Sequence, residues 1–352
     1  MAWRRFVFQL VAVFLGGSLA LFALLALLDP WGALGSPVPT IPADHSQRWA
    51  YPELARDKRF DAAIIGNSGS RLLNPADLDP ATDARFVNLS MVRAFAYEQA
   101  RLLDVFLDAH PRPRAVLIGL DRVWCERDAE QFLFGYEPIP EWLYDGDLGA
   151  ALGNLLNLHA IETAWRSLSA ELGLSARPYG RNGYALIDVD RHRYDPALAH
   201  SLIAKDLTDL WPEPITPEPA TWRFPALDRL TQRLDRMPPE TRKLLVFVPR
   251  YHLYPAPGSV GAAMMDECKR RVVRIARARP NAQVFDLAFP NALTSDDSLW
   301  WDAVHMRPEP LAQISHDLAA AIEGQPRPDV RRLDAGASGG VASAADAPKL
   351  GP

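Results

Sequence analysis

The sequence predicts an α/β fold, a three-layer α/β/α arrangement with a central parallel sheet, preceded by one N-terminal transmembrane helix. Three observations carry this reading. Short apolar runs without polar alternation recur along the chain, as strands buried on both faces do. Amphipathic helical patterns separate them, and alternating strands and helices imply parallel strands with crossovers over both faces. An uncharged run from Phe6 to Leu28 opens the chain, long enough to cross a ~30 Å hydrocarbon core, which needs ~20 apolar residues.

Residues 1–28 are therefore expected to be a short cytoplasmic N-terminus and a membrane anchor. A cleaved signal peptide is the alternative, but its apolar core is shorter, ~7–15 residues, and ends in small residues. Here the run ends in Leu27-Leu28-Asp29-Pro30. Arg4 and Arg5 precede the helix, so the N-terminus should stay inside and the rest of the chain outside the cytoplasm of a cell (inner) membrane. Without these two arginines the balance is 36 basic against 43 acidic residues, a net of −7. With no basic block, nucleic acid is excluded as an expected partner.

Residues 29–59, rich in Pro and Gly, read as a linker. Residues 60–323 form the α/β domain, and residues 324–352, rich in Ala, Gly, Pro and Asp, read as a disordered tail. The expected strands are Asp61–Gly66, Ala115–Gly119, Lys243–Val248 and Ala282–Asp286. Helical patterns occupy Ala96–Ala109, Met264–Arg279 and Leu311–Ile322. Residues 125–240 break the rhythm with many Trp, Tyr and Pro and a helical pattern over Leu148–Leu172, and are expected to be an insertion between two strands at the edge that shapes the cleft. Cys125 and Cys268 could pair outside the cytoplasm or be two separate small core residues.

Two motifs carry chemistry. Gly66-Asn67-Ser68-Gly69-Ser70-Arg71 follows the first strand, so Ser68 is expected at the carboxyl edge of the sheet, where open α/β folds place their sites. The ordinary reading is a helix-capping turn with Asn67 or Ser68 as N-cap. Near the end of the fold, Asp302-Ala303-Val304-His305 places an Asp three residues before a His. Such an Asp can fix the imidazole tautomer so that the other nitrogen serves as general base; a surface turn with a stray His is the alternative.

Together, a Ser in the first strand–helix turn and a late D-x-x-H resemble the SGNH/GDSL hydrolase family. The chain resembles its divergent, membrane-anchored, extracytoplasmic type, the proteins of alginate acetylation and D-alanyl lipoteichoic acid transfer. Asp61-Ala-Ala-Ile-Ile-Gly-Asn-Ser68 is similar to the family's first block, with Asn67 in place of Asp. Phe86-Val-Asn-Leu-Ser90, followed by Ala94 and Glu98, resembles the second, and Asp302–His305 the last. The resemblance implies a serine O-acyl esterase or acyltransferase of the periplasm and cell envelope. It implies a polysaccharide or glycan substrate, a membrane-bound O-acyltransferase as partner, and neither metal nor organic cofactor. Ser68 would be the nucleophile, His305 the base and Asp302 its orienter, with the N–H groups of Ser68 and Gly69 helping to hold the oxyanion.

The chain departs from the family at two oxyanion positions. The second block's Gly falls near Arg93 and the third block's Asn at Asp121; an ionised aspartate donates no hydrogen bond. Either Arg93 or Asn88 supplies the donor, or the fold serves as an inactive accessory protein that binds a polymer or an acyltransferase. Arg250 and His252, after the third expected strand, are candidates to bind an anionic or sugar group; a satisfied loop His is the ordinary reading of His252. Trp300 and Trp301 could stack on a sugar or simply pack.

Overall fold

The structure, a computed structural model, describes residues 2–36, 42–127, 138–185, 194–208 and 218–335. In chain order its elements are α1 (Ala2–Leu28), α2 (Gln47–Arg56), β1 (Ala62–Ile65), α3 (Pro75–Thr82), β2 (Phe86–Asn88), α4 (Ala96–Ala109) and β3 (Ala115–Leu120). Next come α5 (Glu141–Asp145), α6 (Leu148–Gly153), α7 (Leu158–Glu171), α8 (Pro196–Thr208) and α9 (Pro225–Arg236). The chain continues through β4 (Arg242–Phe247), α10 (Val260–Arg277), β5 (Ala282–Asp286), α11 (Pro308–Ile322) and β6 (Arg331–Arg332).

The strands form one mostly parallel sheet of six in the order β2-β1-β3-β4-β5-β6, with β6 alone antiparallel. Successive strand side chains point to opposite faces, and each face has its own core. Ala63, Ile65, Val116, Ile118, Leu245 and Phe247 pack with α2, α4, α9 and α10. Ala62, Ile64, Ala115, Leu117, Leu244 and Val246 pack with α3 and α11. The order 2-1-3-4-5 places the topological switch between β1 and β3, where ligands of open α/β sheets bind outside the carboxyl ends of the strands.

The expected linker is not a spacer over its described part. Tyr51 and Leu54 of α2 are core residues, and Asp29, itself buried, accepts from the N–H groups of Leu34 and Ser36. Large apolar groups at Trp31, Tyr51 and Leu54 give this Pro-rich segment a reason to pack. Residues 37–41 lie outside the described part. The expected featureless tail also starts too early. After Gly324, in the left-handed region at φ 88°, Arg331 and Arg332 pair with β5, and Asp334 accepts from the Val284 N–H at 2.7 Å. Buried Val330 and part-buried Leu333, flanking the arginines, reach opposite cores. The tail from 336 lies outside the described residues.

The helix expected over Leu148–Leu172 is two, α6 and α7. Asn154 ends the first and the Asn157 side chain caps the second, accepting from the Ala160 N–H at 2.8 Å. Between the adjacent strands β3 and β4 lie α5 to α9; residues 128–137, 186–193 and 209–217 of this insertion lie outside the described part. Cys125, just beyond β3, and Cys268 of α10 form a disulfide, which ties the entry of the insertion to the helix after it.

Candidate active site

β1 ends at the switch point, and the chain turns through Gly66–Gly69 into a 3-10 turn over Ser70–Leu72. The expected capping role is not found: neither Asn67 nor Ser68 caps a helix, and α3 begins later with Asn74 as its N-cap. Glycine is required at Gly66 and Gly119, since a Cβ at either would collide with the Ser70 side chain. That packing drives Ser70 fully inward, with its Oγ unpartnered, and leaves Ser68 half-buried at the edge.

His305 comes to Ser68 across 237 positions, with Ser68 Oγ 2.9 Å from His305 Nε2. His305 Nδ1 lies 2.8 Å from Asp302 Oδ2. Asp302 Oδ1 accepts the N–H groups of Val304 and His305 at 2.8 and 2.7 Å, so the carboxylate shapes the same turn that presents the ring. Burial alone would raise the Asp302 carboxyl, but hydrogen bonds from the His305 ring and from these two N–H groups hold it below the ordinary aspartate range. An ionised carboxylate only accepts. Nδ1 therefore carries the proton, and Nε2 accepts from the Ser68 hydroxyl. The loop is pinned elsewhere too: Ala303 N–H donates to Asp206 of α8, and Tyr251 N–H donates to Ala303 O, both at 3.1 Å.

Arg250 and Asp121 belong to a brace beside this chain. Arg250 donates to Val304 O and to Asp121 Oδ2, both at 2.8 Å. Asp121 Oδ2 also accepts from Asn67 Nδ2, and Asn67 Oδ1 in turn accepts from Gly69 N–H at 3.1 Å. One polar chain thus runs from the His305 loop through the ends of β4 and β3 to the residues flanking Ser68. Asp121 Oδ1 also accepts from Val123 N–H at 3.0 Å.

Several expected roles change. Gly69 N–H, expected to face an oxyanion, is taken by Asn67 Oδ1; the Ser68 N–H, by contrast, has no acceptor among the described residues. Asn88 is fully buried, and its Nδ2 serves the carbonyls of Ser70, Arg71 and Leu73 while Oδ1 accepts from Ser90 N–H. Both amide protons are spent on the turn after Ser68, so Asn88 clamps that turn instead of facing substrate. Arg93 is exposed, with its backbone in the left-handed region at φ 54°. His252 is the satisfied loop histidine: its N–H and ring Nδ1 both meet Thr294 O, at 3.0 and 3.3 Å. Trp300 is core, with its indole N–H on Leu293 O, and Trp301 packs edge-on against Tyr194.

Sequence reasoning did not pair Asp121 with Arg250. The signal was there: β3 and β4 are parallel with Leu120 beside Phe247, so the first polar residues beyond both strands share one edge. It also missed a small, mainly apolar cleft of about 50 Å³, whose walls include Leu120, Val248, Tyr254, Met264 and Met265. Asp121 and Arg250 line it as well, and Gly69 packs toward Val248, so the cleft adjoins the residues around Ser68. No protein-family model matches the chain, and no curated protein matches it significantly in sequence.

Proposed function

We propose that the chain is a membrane-anchored, SGNH-like serine O-acyl esterase or acyltransferase of three-layer α/β/α architecture, acting outside the cytoplasm on a cell-surface polysaccharide or related glycan. The observation that carries the reading is the chain Ser68 Oγ–His305 Nε2 and His305 Nδ1–Asp302 Oδ2, at 2.9 and 2.8 Å. A serine hydroxyl is a weak nucleophile until a positioned base takes its proton. Ser68 Oγ attacks the ester carbonyl carbon as its proton passes to His305 Nε2, and the imidazolium then protonates the departing alcohol. The acyl-serine is resolved by water in an esterase, or by a sugar hydroxyl in a transferase, with the proton retracing the same path. The Ser68 N–H stabilises the oxyanion, and Gly69 N–H joins it when Asn67 Oδ1 releases it. The apolar cleft beside Val248 receives the acyl group. The disulfide supports an oxidising compartment, and a membrane-bound O-acyltransferase is the partner this placement suits.

A second reading is an inactive accessory protein that binds a polymer or an acyltransferase. It is favoured by the Gly69 N–H already being occupied and by an acceptor, Asp121, at the third-block position. Labelling with a fluorophosphonate probe separates the two. Labelling of the purified protein that is lost in Ser68→Ala supports the enzyme; no labelling of folded protein supports the accessory role.

A further inference from the structure

We propose that the α6–α7 segment lies in the outer leaflet of the membrane, so that the domain rests on the lipid surface beside its own anchor. This rests on α1 crossing a membrane, which its length and composition allow.

α7 is built the wrong way round for water. A surface helix normally turns its large apolar residues to the core. In α7, small and polar residues face inward: Ala160, Thr163, Ala164 and Ser167 are buried, with Thr163 Oγ1 on Asp44 and Ser167 Oγ accepting from Ala43 N–H. Outward stand Leu158, Ile161, Trp165 and Leu172, at 84, 37, 64 and 63% exposure. Their steps of three, four and seven keep them on one helical face. Leu148, Leu152 and Leu156 form an exposed row four residues apart along α6 and its exit, and Leu174 follows α7 at 71%.

The position of α7 selects lipid as the occupant. α7 packs on α1, and the domain covers the anchor's last turns: Leu25 is buried, and Leu21, Phe22, Ala26 and Leu28 are partly so. His159, at the start of α7, packs edge-on against Trp49 and Trp31, with centroids 4.5 and 5.8 Å apart. The candidate span Trp3–Leu28 has 26 residues, about 39 Å at ~1.5 Å per residue. That exceeds a ~30 Å hydrocarbon core by roughly six residues. The surplus matches the turns that the domain embraces, which puts α7 level with the outer headgroups. An interfacial helix there buries its apolar face ~5–10 Å deep, and Trp165 is of the type enriched at that level. The segment adds little net charge, because Glu162 pairs with Arg166, and Glu171 with Arg177 and Arg181. Apolar insertion, rather than attraction to anionic lipid, is the driving term.

The test uses the full chain in phosphatidylcholine nanodiscs. Nitroxide labels are placed singly at Leu158→Cys and Leu172→Cys, at Leu15→Cys in mid-anchor, and at exposed Arg112→Cys as the aqueous reference; the native cysteines are paired and do not label. Accessibility to O2 and to a water-soluble nickel chelate is measured at each. The expected result is an O2-to-nickel ratio at 158 and 172 that rises from the value at 112 toward the value at 15. Nickel access at 158 and 172 equal to that at 112, with Leu15 in lipid, overturns the proposal alone. Protection from both reagents also overturns it, because protein, a second copy or another partner then covers the stripe. Nickel access at Leu15 removes the anchor itself and the proposal with it. Two independent positions, at the two ends of α7, keep the result readable if one variant folds poorly.

Discussion

Arg250 and Asp121 close a 2.8 Å ion pair between the ends of β4 and β3, with side chains 12 and 4% exposed. Removing one member of such a pair leaves the other charge buried without a partner, at about 3–5 kcal/mol. Arg250→Ala is therefore expected to lower the stability of the protein by roughly that amount in urea unfolding. It should also lower turnover per folded molecule, because Val304 O, next to His305, loses its donor. An unchanged unfolding midpoint would show that the brace carries no stability.

Ser68→Ala and His305→Ala should each lower hydrolysis of p-nitrophenyl acetate by at least about three orders of magnitude, and together no further, since the two act as a unit. Asp302→Asn should leave the fold in place and cost roughly 10⁴-fold in kcat, because Nδ1 would lose the acceptor that fixes its tautomer. Additive losses in the double variant, or activity that survives Ser68→Ala, would show that the geometry is not the catalytic one.

The four strands read from sequence, β1, β3, β4 and β5, were legible because a parallel strand buried on both faces must be apolar throughout. β2 has three residues and β6 two, both arginine; elements so short have no period to read. Prolines inside α2 and α3, Pro52 and Pro80, hid those helices. Ser68, Asp302 and His305 were legible because their chemistry lies in local spacing. Asn88 was misjudged because its own side-chain amide donates to backbone carbonyls of the turn after Ser68, a pairing that only the folded chain reveals. Asn88 reaches back 15 to 18 positions to its carbonyls.

The Asn88 clamp has its own consequence. Its Nδ2 serves the carbonyls of Ser70, Arg71 and Leu73 in a fully buried site. Orphaned buried groups cost about 1–3 kcal/mol each, so Asn88→Ala should lower stability by at least about 2 kcal/mol. The rate per folded molecule should hold better than in Ser68→Ala. A large loss of rate with unchanged stability would return Asn88 to the substrate side of the site.

Cys125 and Cys268 stand 143 positions apart in sequence. Cross-linking so long a loop removes unfolded-chain entropy worth at most about 5 kcal/mol, and typical disulfides deliver ~2–4. Cys268→Ser should lower the thermal midpoint, and dithiothreitol should do the same to wild type while leaving the variant unchanged. Equal sensitivity of the two proteins to dithiothreitol would mean that the pair is not the target.

The last prediction concerns pH and the packing of α2 against the segment that follows α1. Glu53 of α2 is pushed up to about 7 from an ordinary 4.5, by burial first and by the nearby Asp29 carboxylate second, with Arg56 opposing. The folded state thus holds the Glu53 proton more tightly than the unfolded chain does. Stability tied to that proton is complete below the unfolded value and is lost as pH rises through the folded one. Between these limits the loss amounts to at most about 3 kcal/mol, at ~1.4 kcal/mol per pH unit. Above about pH 7 the ionised carboxylate sits at a continuing disadvantage. Glu53→Gln keeps the shape and removes the charge, so it should exceed wild type in urea midpoint near pH 8, with the gap narrowing toward about pH 5. Both proteins are measured as full chains in the same detergent. A gap that widens on acidification would mean that Glu53 is held as a carboxylate, by Arg56 and not against Asp29, and the sign of the argument would reverse.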